Sequence, residues 1–123
     1  MRQILLIDDS AVMVNEVSSF LRDHQIDSII ASNGQEGFDT IRAKPDIPLA
    51  IVDVNMPVMD GLTIIEKVRK ELPDCTTHFI VLTTEFDRSS KDRGRSLGVT
   101  GWIIKPFKGD AAIGPIKKIL GYV

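Results

Sequence analysis

Pro48-Leu49-Ala50-Ile51-Val52 is a short, unbroken apolar run, and it ends on the carboxylate of Asp53. A strand that shows one face to water alternates apolar and polar residues; a run with no alternation reads as a strand covered on both faces. Four more runs of this kind flank it: Ile4-Leu5-Leu6-Ile7, Ile26 to Ala31, Phe79-Ile80-Val81-Leu82 and Trp102-Ile103-Ile104. Longer segments with helical periodicity lie between them. From Ser10 to His24, apolar residues fall at Met13, Val17, Phe20 and Leu21, on one helical face, with Ser10 placed to cap the start. A second helix starts near Asn33, turns Phe38 and Ile41 inward and stops before Pro45. A third follows Gly61, which allows a tight turn into it, carries Leu62, Ile65 and Val68, and ends before Pro73. A fourth lies between Asp87 and Leu97, and a fifth carries Ile113, Ile116, Ile119 and Leu120.

Strands that alternate with helices are joined by crossovers, and crossovers make parallel sheets with helices on both faces. The fold class is therefore α/β with a five-stranded parallel sheet. Ligands of such folds sit beyond the carboxyl ends of the strands. Here the first strand ends in Asp8-Asp9, the third in Asp53, the fourth in Thr83-Thr84-Glu85 and the fifth in Lys105-Pro106-Phe107. Taken singly, these residues are ordinary: an acid pair starting a helix, a turn aspartate, a β-branched strand residue and a surface lysine. Their coincidence on one sheet edge points to a shared site. Three carboxylates crowded together repel one another, and a hard divalent cation such as magnesium offsets that repulsion through oxygen ligands. Lys105 adds a fixed positive charge.

The chain has 123 residues, 43% hydrophobic and 26% charged, which is one globular domain's worth. Its formal net charge of −2 gives no general attraction to nucleic acid or anionic lipid. Cys75, the single cysteine, has no partner for an internal disulfide. No apolar run approaches the roughly 18–20 residues of a membrane helix, and the apolar opening, Met1 to Ile7, is too short for a signal peptide. These features place the chain in the cytoplasm. His24, His78 and Cys75 lack metal-ligand spacing and read as structural.

The motifs Asp8-Asp9, Asp53-Val54-Asn55-Met56-Pro57-Val58-Met59-Asp60-Gly61, Thr83 and Lys105-Pro106-Phe107 occur in an order that resembles the receiver domains of two-component response regulators, above all the stand-alone CheY-like type. The resemblance covers nearly the whole chain. It implies a flavodoxin-like doubly wound (βα)5 fold with strand order 2-1-3-4-5, and a single receiver domain over residues 1–123 with no output domain. It implies that Asp53 accepts a phosphoryl group from a phosphohistidine on a sensor histidine kinase. Magnesium would be held by Asp9, Asp53 and the Asn55 carbonyl, with Asp8 acting through a water. Lys105 and Thr83 would contact the phosphoryl oxygens, and Lys105-Pro106 would be a cis peptide. Trp102 would be the switch aromatic, where these regulators carry tyrosine, and Asn55 and Glu85 would tune the lifetime of the phosphoryl group. The fourth helix, fifth strand and fifth helix would form the face that binds a downstream target. The resemblance also implies a monomer that is not a turnover enzyme, though it catalyses its own phosphotransfer and slow dephosphorylation, with chemotaxis-type signalling as the leading role.

Alternatives remain open at this point. A phosphorelay intermediate would pass the group on to a histidine phosphotransfer domain, and a pseudo-receiver would only dock. An aspartyl-nucleophile phosphohydrolase needs a second aspartate where Asn55 stands. Two segments depart from the family's pattern. Gly94 weakens the fourth helix, which is expected to be short or mobile. Gly114-Pro115 interrupts the fifth, which is expected either to begin near Pro115 or to kink there.

Overall fold

Every strand of the sheet pairs in parallel, in the order β2-β1-β3-β4-β5. The computed structural model describes residues 2–54, 56, 59–83, 88–105 and 107–121. Along the chain run β1 (Arg2–Ile7), α1 (Ala11–Asp23), β2 (Ile26–Ala31), α2 (Gly34–Ala43), β3 (Leu49–Asp53), α3 (Gly61–Glu71), β4 (His78–Thr83), α4 (Arg88–Ser96), β5 (Gly101–Ile104) and α5 (Gly109–Leu120). This is the flavodoxin-like (βα)5 arrangement expected from the sequence. From β1 the chain order runs outward to β2 on one side and to β3 on the other, so the sheet opens a crevice at the carboxyl ends of β1 and β3.

The apolar runs of the inner strands β1, β3 and β4 are buried on both faces, whereas the edge strands β2 and β5 are only partly covered and leave Ile30 and Ile104 exposed. Ile4 through Ile7 are wholly inaccessible, as is Leu49 through Val52. Alternate residues serve opposite layers. Leu5, Ile7, Ala50, Val52, Phe79 and Val81 pack with α2 and α3; Ile4, Leu6, Leu49, Ile51, Ile80 and Leu82 pack with α1 and α5. Val17 and Leu21 of α1, Phe38 and Ile41 of α2, and Leu62, Ile65 and Val68 of α3 are buried, as their spacing requires. The caps are local. The Ser10 side chain accepts from the Met13 amide, Asn33 from the Glu36 amide and Asp60 from the Thr63 amide. His24 caps the end of α1 and lies with its ring centroid 4.7 Å from that of Phe20.

Two expectations change. Of the two alternatives for the last helix, the start near Pro115 is overturned. The helix runs from Gly109 to Leu120 with Pro115 inside it. Ala112, Ile116 and Leu120 are buried on one stripe that spans the proline and anchors the turns on either side. Proline removes the amide that would bond to the Ala111 carbonyl, at a point where both residues are exposed. Gly61, in turn, is required by close approach rather than by turn geometry. A Cβ there would sit 2.6 Å from the Asp53 carbonyl oxygen and 2.7 Å from Cγ1 of Val52. Glycine thus lets the start of α3 press against the end of β3. The fourth helix is short, as expected, at nine residues.

Candidate functional site

Asp8, Asp53, Thr83 and Lys105 each sit at a strand end or one step beyond it, Asp9 lies two steps past β1, and Trp102 lies within β5; hydrogen bonds continue the sheet past the ends of β1, β3 and β5. The Asp8 amide donates to the Ala31 carbonyl at 3.1 Å, and the Lys105 amide to that of Thr83 at 2.8 Å. The residue after Asp53, Val54, donates to the Leu82 carbonyl at 3.2 Å. Asp53 itself lies in register with Leu82. The backbone therefore presents these side chains to one edge as extensions of a rigid sheet.

Carboxylate oxygens of Asp8, Asp9 and Asp53 lie within 4.8 Å of one another. Asp8 and Asp53 are 1% and 2% exposed, while Asp9 is open to solvent. Lys105 Nζ stands 3.3 Å from Oδ1 of Asp53, with its side chain 14% exposed. Thr83 is buried beside them at the end of β4. Three carboxylates against one ammonium leave an excess of two negative charges when all are ionised. The strain of that imbalance falls on Asp8. Burial first, and then the Asp53 charge, push its pKa from 3.8 up to about 6, against the lowering pull of the Ser10 amide and of Lys105. Asp8 Oδ1 accepts the Ser10 amide at 2.9 Å, but its Oδ2 is buried with no hydrogen-bond partner. An orphaned buried carboxylate oxygen, among hard oxygen donors that repel one another, fits a magnesium ion.

Asn55, Glu85 and Pro106 fall outside the described residues, and with them the carbonyl ligand, the lifetime-tuning pair and the cis peptide. Trp102 is half-buried on β5, in register with Val81. The histidines and the cysteine are engaged elsewhere. His78 Nδ1 lies 3.1 Å from Oγ1 of Thr100, and Cys75 Sγ donates to Oγ1 of Thr77 at 3.2 Å. Sequence reasoning missed the Ser10 amide as a partner of Asp8, although a serine two residues after a strand-end aspartate is a signal for it. It also missed Arg93, which reaches Glu66 Oε2 at 2.9 Å and Thr63 Oγ1 at 3.3 Å on α3. Contacts that distant in sequence leave no local signal.

Residues 4–116 match the family model of the response regulator receiver domain. A chemotaxis protein CheY homologue of Campylobacter jejuni is 30% identical over 120 residues, covering 97% of this chain and 92% of that one. A segment of the sensor histidine kinase CheAY of Helicobacter pylori is 33% identical over 116 residues, covering 94% of this chain but 14% of the kinase. The solved structure of Vibrio cholerae chemotaxis protein CheY4 gives a TM-score of 0.86 at 31% identity, covering 97% of this chain and 98% of that one.

Proposed function

The chain belongs to the response regulator receiver domain family, and on that premise we propose that it is a magnesium-dependent phosphoacceptor whose acceptor is Asp53. The observation that carries this reading is the buried Asp53 carboxylate, paired with Lys105 at 3.3 Å and clustered with Asp8 and Asp9 within 4.8 Å. The likeness to a segment of a sensor histidine kinase and to a CheY homologue supports a histidine kinase as phosphodonor and chemotaxis-type signalling as the setting.

A carboxylate oxygen of Asp53 attacks the phosphorus of a phosphohistidine. An O–P bond forms, the P–N bond breaks, and the imidazole leaves with the electron pair. The product is an acyl phosphate on Asp53. An anion attacking a phosphoryl dianion needs charge neutralisation and alignment far more than covalent assistance. Asp8, Asp9 and Asp53 would hold magnesium, which would supply the larger part of that neutralisation. Lys105 holds Asp53 in place beforehand, then shifts its ammonium to a phosphoryl oxygen. The Thr83 hydroxyl donates to another. Water attacking the same phosphorus breaks the O–P bond, releases inorganic phosphate and restores the carboxylate. The protein thus catalyses its own loading and unloading but consumes its own side chain as substrate, and so it is a switch rather than a turnover enzyme. Loading adds roughly −1.5 to −2 of charge. Thr83 and Lys105 carry that change to β4 and β5, and the face formed by α4, β5 and α5 is the surface a downstream protein reads. The working unit is a cytoplasmic monomer; no helix among the described residues is long and apolar enough to cross a membrane.

Labelling with phosphoramidate, followed by intact mass measurement, tests the acceptor. One phosphoryl group is expected on the native chain and none on Asp53→Ala, with Asp8→Ala retaining a slower reaction. Undiminished labelling of Asp53→Ala would reject the proposal.

A further inference from the structure

Arg88-Ser89-Ser90-Lys91-Asp92-Arg93-Gly94-Arg95-Ser96, the whole of α4, contains no apolar side chain. A helix normally docks by burying an apolar stripe, so something else holds this one. Among the α4 residues whose burial is described, the buried one is Gly94, and Gly94 lies against the indole of Trp102. A Cβ at position 94 would stand 2.5 Å from Cζ2 of Trp102 and 3.3 Å from Cε2. The absent side chain is therefore a notch that the far ring of the indole fills. Trp102 stands on the sheet face that Val81 shares, partly buried against the core layer of α2 and α3. The neighbouring Arg93 spans to α3, with Nη2 2.9 Å from Glu66 Oε2 and 3.3 Å from Thr63 Oγ1, and Nη1 4.0 Å from Asp60 Oδ1. At the carboxyl end of α4, Arg69 of α3 donates from Nε to the Leu97 carbonyl at 3.0 Å, while Leu97 and Val99 pack on the core.

We propose that Gly94 is the positioning residue for Trp102, and that the indole seated in its notch, together with the Arg93 fork on α3, is the latch that docks α4 on the domain. The end at Leu97 is tied independently by Arg69, so it is the hinge about which the helix would lift. The glycine costs helix stability but admits the indole. The latch follows from packing alone. That its opening transmits the state of Asp53 rests on the phosphoacceptor reading, through the strand register that places Trp102 beside Val81 and Ile104 beside Thr83.

A double-mutant cycle on the full chain, without magnesium or phosphodonor, tests the latch apart from that reading. Alanine is the better helix former, so the sign of Gly94→Ala depends on whether the notch is filled. The expected result is a lower unfolding midpoint for Gly94→Ala with Trp102 present and a higher one in the Trp102→Ala background. Should Gly94→Ala fail to fold alone, Gly94→Ala/Trp102→Ala is expected to restore folding. The same sign in both backgrounds, or failure of both to fold, overturns the proposal. Trp102 is the single tryptophan, so its emission reports the seat directly. Arg93→Ala should increase acrylamide quenching of that emission at low salt, with the difference from the native chain narrowing at high salt as the ion pairs are screened. Unchanged quenching in Arg93→Ala would remove the fork from the latch.

Discussion

Replacing Asp8 with asparagine should stabilise the protein while weakening its hold on magnesium. Asp8 is 1% exposed, and its pKa is raised from 3.8 to about 6, chiefly by burial. A carboxyl whose pKa is higher in the folded state than in the unfolded one binds its proton more tightly in the fold. Its contribution to stability is complete below pH 3.8 and is lost as pH rises through 6. With its pKa at about 6 instead of 3.8, the ionised group costs up to about 3 kcal/mol at neutral pH. Asparagine keeps the Oδ1 that accepts the Ser10 amide and removes the charge. Urea unfolding of Asp8→Asn without divalent ions should therefore give a gain of up to about 3 kcal/mol at pH 8, which shrinks through pH 6 and is gone near pH 4. In thermal unfolding this is roughly 10 °C, at about 4 °C per kcal/mol for a chain of this size. Magnesium should reverse the order: at one hundred times its Kd it adds about 2.7 kcal/mol to a protein that binds it, and the variant should gain much less. A variant less stable than the native chain at pH 8 without magnesium, or a difference independent of pH, would refute the reasoning.

Lys105→Ala removes the ammonium that faces Asp53 at 3.3 Å; loss of one positioned charge partner of this kind costs about 100-fold or more in rate, read as the initial rate of phosphoramidate labelling. Beyond its chain neighbours and its own helix backbone, a Cβ added at helix-interior Gly114 would meet nothing within 4 Å, so Gly114→Ala should gain less than the usual ~1 kcal/mol, because the new Cβ crowds the ring of Pro115. Gly61→Ala should instead lose about 1–3 kcal/mol, because its methyl group meets the Asp53 carbonyl at 2.6 Å. Asn33→Ala removes the cap that accepts the Glu36 amide at 2.9 Å and should cost about 1 kcal/mol in the same urea experiment.

The sheet and the cluster were legible because each depends on short-range pattern. Runs such as Leu49 to Val52 declare burial on both faces, and an acid at the end of such a run can only lie at the sheet's edge. What stayed hidden depends on contacts between distant segments. The rule against proline inside a helix was outweighed in α5 by a stripe of Ala112, Ile116 and Leu120 that local reasoning does not weigh. Gly61 and Gly94 read as a turn residue and a weak point because the sequence does not show what approaches them. In the folded chain these are a main-chain carbonyl and an indole. Even the acid pair was only half visible: its charges could be counted, but the isolation of Oδ2 of Asp8 follows from how the chain packs around it.

The central claim is that crowded carboxylates become a reversible phosphate holder only when a divalent ion and Lys105 offset their charge. Intact mass spectrometry of the phosphoramidate-treated native chain, with and without magnesium and then after chelation, tests this most directly. The account expects a phosphoryl group that forms on Asp53 only with magnesium, decays once the donor is removed, and persists when the ion is chelated. Equal labelling and equal decay in the absence of magnesium would contradict it.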